Sequence, residues 1–487
     1  MIALLIPVLM PIAVGVLLMA FPPRQRKIML AVVFAALAIG LALAIGVALQ
    51  PEDALRLTLG TVAEGLTFYL QVDAVGKLFS VLVAFVWLLV GLAAFEYMSH
   101  EHDEPRFFGF YLIVEGVLAA LCYSGNLFTF YVFFELMTLT SVPLVMHELT
   151  HEAVMAGLKY LFYSVGGAFL SLFGLFLFTA QGAELTFTAG GVLDSTSASG
   201  VARLAVFLMI LGFGTKAGMF PMHGWLPTAH PVAPAPASAV LSGVITKAGV
   251  LGILRTVYYV AGPELIRDTW VQYAWIGLTL ITVFMGSMLA YRENVLKKRL
   301  AYSTVSQVSY VLFGLSLLQP VAFVGALLHV VFHSLVKNGL FLSAGAIICK
   351  TGKTKVDELK GIGKEMPVVL WCFTLAGVTL VGIPPTSAFV SKWYLATGSL
   401  ASGIPVASWL GPVVLLVSAL LTAGYLLTVS IDAFLPGSDY NYAALEKHEP
   451  TWQMLVPIVT LTALAVLLGV WPGGLTSLLT GIAGSVL

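Results

Sequence analysis

Fourteen apolar runs, most of them about twenty residues long, follow one another along the chain. A helix of that length crosses the roughly 30 Å of bilayer hydrocarbon. Only a helix or a closed barrel satisfies its backbone polar groups there. The first seven runs are Ile2–Ala20, Ile28–Leu49, Ala74–Met98, Phe107–Tyr123, Leu127–Met146, Ala153–Ala180 and Leu204–Met222. The other seven are Ala233–Val260, Val271–Tyr291, Leu300–Leu318, Val321–Ile348, Met366–Leu395, Leu410–Leu435 and Trp452–Trp471. Charged residues make up 10% of the 487, against about 25% in soluble domains, too few to cover a water-facing surface of this size. The expected fold is an all-α polytopic membrane protein. The N-terminal run lacks a basic flank and a small-residue cleavage site, so it reads as the first membrane helix and not as a removable signal. The longest polar connections are near Pro51–Asp73, Gln181–Arg203 and Lys350–Glu365.

Lys+Arg and Asp+Glu are equal at 24, which argues against a nucleic-acid binder. Cys122, Cys349 and Cys372 are too far apart for a cluster, zinc or disulfide motif, so neither metal nor cofactor is expected in this chain. Basic residues set the orientation. Alternate loops carry Arg24, Arg26 and Lys27, then Arg106, then Arg292, Lys297, Lys298 and Arg299, then Lys350, Lys353, Lys355, Lys360 and Lys364, and finally Lys447. That side is expected to face the cytoplasm, with both termini outside. Arg56, Lys77, Arg203, Arg255 and Arg267 fall on the opposite side and its helix ends.

Five lysines remain, and all lie within apolar runs: Lys159, Lys216, Lys247, Lys337 and Lys392. A lysine at mid-membrane costs about 2.5–3.5 kcal/mol on insertion scales. Such residues face a bundle interior or a hydrated cavity, and a lysine that exchanges its proton is a proton carrier. Lys159 and Lys392, closer to run ends, have the alternative of snorkelling to the interface. Glu115 and Glu135 also fall within runs and are candidate counter-charges; Glu115 has no assigned role. His329, His333 and Lys337 are spaced i, i+4, i+8 and share one helix face. Imidazoles there suit a proton relay; a metal would need a third ligand, and none stands nearby.

Two runs carry helix breakers beside a lysine: Pro221 follows Lys216, and Pro384-Pro385 precede Lys392. Interrupted helices at corresponding places in two halves point to an ion path. The broken helices are the seventh and twelfth, so helices 4–8 and 9–13 read as two inverted five-helix repeats. The organisation expected is residues 1–106 for helices 1–3, 107–260 and 271–435 for the repeats, and 452–487 for helix 14.

The stretch KAGMFPMHGWLPTAHPVAPAPASAVLSGVITKAG resembles the signature of the antiporter-like subunits of respiratory complex I, shared by Mrp-type sodium/proton antiporters and membrane-bound hydrogenase and formate hydrogenlyase complexes. RENVLKKRLAYSTVSQVSYV, HVVFHSLVKNGLFLSAGAI and GIPPTSAFVSKWYL are similar to that family's tenth, eleventh and twelfth helices. The resemblance implies that Glu135 is the fifth-helix glutamate that pairs with Lys216 on the seventh. It implies further that Lys159, Lys247, His329, His333, Lys337 and Lys392 belong to a hydrated axis along the membrane middle. It implies partner membrane subunits, some related to this chain, with Fe–S clusters, or Fe–S clusters and a Ni–Fe centre, held by partners. The chain ends at Leu487, without the long lateral helix of the most distal complex I subunit.

The function expected is that of a proton-translocating subunit of an ion-pumping complex in a prokaryotic cytoplasmic membrane, coupled to redox chemistry or Na+ exchange in its partners. A self-contained Na+/H+ or solute transporter is the alternative.

Overall fold

The structure is a computed structural model and describes residues 2–51, 55–63, 66–182, 184–192, 199–437, 440–441 and 445–487. Among them, twelve helices are long and apolar enough to cross a membrane. The first half comprises α1 (Ile2–Ala20), α2 (Arg26–Ala48), α3 (Ala74–Tyr97), α4 (Glu104–Cys122), α5 (Leu127–Val145), α6 (His151–Ala180), α7 (Gly200–Ala217) and the short α8 (Leu226–Val232). One continuous helix then runs over residues 235–261. It includes α9 (Ala235–Val240) and α10 (Thr246–Leu254), with π-wound turns at Leu241–Ile245 and Arg255–Ala261. The second half holds α11 (Trp270–Arg292), α12 (Leu296–Ser316), α13 (Pro320–Thr351), α14 (Ile362–Glu365), α15 (Pro367–Val381), α16 (Ser387–Leu400), α17 (Ala407–Phe434), α18 (Trp452–Val470) and α19 (Gly473–Val486).

The runs and the helices differ in four places. The tenth run forms α12, whose STVSQVSY middle is polar yet entirely buried, so it depends on the surrounding protein and not on lipid. The twelfth run divides into α15 and α16. A short apolar helix, α19, follows the last run. The polar connection after α2 holds a hairpin, β1 (Arg56–Ala63) antiparallel to β2 (Leu66–Gln71), where alternating Thr, Val, Leu and aromatic residues suit a half-covered pleat. Part of the Gln181–Arg203 connection, residues 183 and 193–198, lies outside the described residues.

Two helices form the centre. Every residue of 235–261 is buried, and so is the α13 stretch 322–347. Helix α13 packs on α3, α9, α12, α15, α16, α18 and α19, which places its polar face inside the protein. The outer helices invert the soluble pattern: Leu17, Phe162, Leu416 and Leu420 are exposed, as lipid or a partner subunit requires.

The two broken helices end alike. Helix α7 stops at Gly218 with φ 79° and α15 at Gly382 with φ 90°. Left-handed glycines terminate helices without a Cβ clash. The breaks therefore lie at these glycines, and Pro221, Pro384 and Pro385 sit beyond them on exposed backbone.

Candidate functional site

Lys216 stands in the last turn of α7, 1% exposed. Its Nζ donates to three hydroxyl oxygens: Thr138 Oγ1 at 2.8 Å, Tyr160 at 2.8 Å and Ser164 Oγ at 3.1 Å. It also lies 4.3 Å from the Tyr160 ring centroid, where the π-face attracts a cation. The expected Glu135 pair is not closed. Among the described residues no carboxylate comes within 4 Å of Lys216 Nζ. Glu135 is half-buried and accepts from Tyr131 at 3.3 Å. It lies one helical turn from Thr138, so the two charges interact through space without touching.

Lys247 follows the first π-wound turn. Its Nζ donates to the Ser242 carbonyl at 2.5 Å and lies 2.7 Å from His333 Nδ1. The His333 ring is 5.9 Å from that of His329. His329 bonds Ser391 Oγ at 2.9 Å and Gln307 Oε1 at 3.1 Å, and stacks on Tyr310. Lys392, next in sequence to Ser391, lies 5.0 Å from the Tyr310 centroid. A polar line thus runs Lys247–His333–His329–Ser391/Lys392 beside the buried hydroxyls and amides of α12 and α13. The i, i+4 spacing on α13 supplies its two histidines.

Lys392 has a second task. Its Nζ donates to the carbonyls of Leu380 at 2.7 Å and Val381 at 3.0 Å, the last of α15. Helix C-termini carry partial negative charge and unpaired carbonyls, which a cation satisfies. At the other break, Trp225 Nε1 donates to the Thr215 carbonyl at 2.8 Å.

Besides Lys216 and Glu135, three expected residues stand off the line. Lys337 is fully buried but donates to the Leu300 carbonyl on α12 at 3.0 Å. Lys159 is exposed and bonds Thr228 at 2.9 Å. Glu115 is buried among α1–α4, and neither carboxyl oxygen bonds a lysine among the described residues. No hydrogen bond among the described residues joins the Lys216 group to the Lys247 group. Among them, no group of three His, Cys, Asp or Glu could hold a metal.

The sequence reading misplaced three cations and missed two acids. Arg255, assigned to a helix end, is 1% exposed and forms a bidentate ion pair with Asp73, the N-cap of α3. Phe187 and Tyr259 flank its guanidinium, each 4.6 Å away. Lys297 and Arg299, assigned to a loop, are buried and donate to the carbonyls of Ala233 and Tyr425. Glu96 on α3 is buried and paired with Lys350 at 2.7 Å. His230, in α8, is fully buried against Phe341.

Residues 124–422 match the family model described as NADH:quinone oxidoreductase/Mrp antiporter, transmembrane. The chain belongs to this family. NADH-quinone oxidoreductase subunit N of Desulforudis audaxviator is 33% identical over 96% of this chain and 94% of its own length. A Na(+)/H(+) antiporter subunit of Bacillus subtilis is 28% identical over 96% of this chain and 93% of its own. A chain of the Mrp complex from Dietzia sp. shares the fold, with TM-score 0.86 and 23% identity over 99% of this chain and 97% of that one. As an antiporter-like family member the chain is an integral membrane protein, and its buried lysines are features of a transmembrane fold rather than of a soluble core.

Proposed function

We propose that this chain is a proton-translocating subunit of a multisubunit ion-pumping complex in a prokaryotic cytoplasmic membrane. The observation that carries this reading is the line from Lys247 through His333 and His329 to Lys392. Imidazole both donates and accepts, so a proton reaching His333 from Lys247 can leave from the other ring nitrogen. Lys216 is the switch. Swinging Glu135 across the one-turn gap changes how readily Lys216 holds a proton. At ~4 Å such a pair is worth about 4 kcal/mol at an effective dielectric of 20, before desolvation. That is enough to change proton occupancy about a thousandfold. Hydroxyls of Thr138, Tyr160 and Ser164 hold the ammonium while the pair is open. Two inverted five-helix repeats, 107–260 and 271–435, would bring the two glycine-ended helices into equivalent roles, with helices 1–3 and 14 outside them. Both termini face outward in this reading.

Coupling would come from redox chemistry or Na+ exchange in partner membrane subunits, which would carry any Fe–S or Ni–Fe centres. Lys216→Met and Glu135→Gln variants that assemble normally should lose proton transport by about tenfold or more, read with a pH-sensitive dye in inverted vesicles. Native rates in both would end the proposal. Purifying the tagged chain in mild detergent, with mass spectrometry and metal analysis, identifies the assembly. Nickel with iron indicates a hydrogenase-type pump, iron alone a complex I or formate-linked one, and related subunits without either an Mrp-type antiporter. A lone chain catalysing cation/proton exchange in liposomes would favour the self-contained transporter.

A further inference from the structure

Glu115 has no place in the line above, yet its surroundings are built around it. The side chain is 3% exposed, and neither carboxyl oxygen has a hydrogen-bond partner among the described residues. Gly40 on α2 makes room for it: a Cβ there would stand 2.7 Å from Oε1. The carboxyl faces a cavity of about 10 Å³ lined by Ser80, Val83 and Tyr123 among others, space for about one water.

A second cavity of about 10 Å³ lies between α3, α4 and the central helix, and Lys247 lines it, with Phe79, Leu118 and Gly243. Val83 lines both cavities. Glu115 and Lys247 thus each line a water-sized space, and Val83 is the residue the two spaces share.

We propose that Glu115 is a proton-storage site that exchanges with Lys247 across Val83, which acts as an apolar gate. The proposal rests on Lys247 being a proton carrier. In the exchange, an N–H bond at Lys247 breaks and an O–H bond at Glu115 forms through intervening water. Ammonium and carboxylate become amine and carboxylic acid, and the reverse step restores them; net charge is constant throughout. Lys247 is the one other charged group lining either cavity among the described residues. Tyr111, one turn away on α4, is occupied in donating to the Trp87 carbonyl at 2.7 Å. The ligand is a proton and not a metal cation, because one carboxyl and two hydroxyls fall short of the six or more oxygens that hard cations take.

The test is infrared difference spectroscopy on the purified membrane complex during H2O-to-D2O exchange. A carboxylic C=O band should be present in the native protein, absent in Glu115→Gln and retained, shifted, in Glu115→Asp. Its deuterium shift should come several-fold more slowly in Val83→Phe and faster in Val83→Ala. A spectrum unchanged by Glu115→Gln overturns the proposal, as does exchange indifferent to the size of residue 83. The band is read without transport, so Lys216→Met, which stops pumping in the reading above, should leave it intact. The two readings therefore fail separately.

Discussion

Asp73 and Arg255 show how a buried cation is held by a carboxylate at the rim of the fold, with the Arg255 side chain 2% exposed and that of Asp73 27%. Burial works against the Asp73 carboxylate, but the Arg255 guanidinium and the Gly76 N–H more than offset it and hold the carboxyl below its ordinary range. A group depressed in the fold stabilises it above the unfolded value, about pH 3.9, and that stability is lost as pH falls through the folded value. Thermal melts in detergent should therefore drop in acid for the native chain. Asp73→Ala should lie about 3 kcal/mol lower at neutral pH, because it strands a buried cation, and should lack that acid step. At the second helix break, Lys392→Met removes the donor to Leu380 and Val381. It should cost about 1–2 kcal/mol in the same melts, while Lys392→Arg, which keeps the cation, should recover part of it.

At the scale of elements, the contact between the central helix and α13 is set by Gly243. A Cβ at that position would collide with the Asn338 amide. Gly243→Leu should push the helices apart, break the Lys247–His333 contact and abolish transport in vesicles, even where the chain still inserts. Most helices were legible from the apolar runs, and the lysines from the insertion cost of a cation in hydrocarbon. What the runs concealed has physical reasons. Arg255 and Glu96 fall near run ends, where a charge reads as interfacial until its partner is seen. The hydroxyls of Thr138, Tyr160 and Ser164 look like any others in a span, since serine and threonine mostly bond their own helix. Prolines marked the breaks only approximately, because glycines ended the helices first. The open Glu135–Lys216 geometry was not legible, since one sequence serves both the closed and the open arrangement.

The whole molecule turns apolar surface outward and polar surface inward. Phe162 is 77% exposed and Leu420 73%. Detergent depletion should therefore aggregate the isolated chain, as monitored by size-exclusion chromatography, whereas lipid nanodiscs should keep it dispersed. The chain also contains a joint. Helices α15 and α16 meet at Gly382, and the Lys392 ammonium clasps the loose carbonyls of the one from its seat on the other. At this position, then, charge and mechanics share one atom: the nitrogen that carries the charge also ties the two helices together.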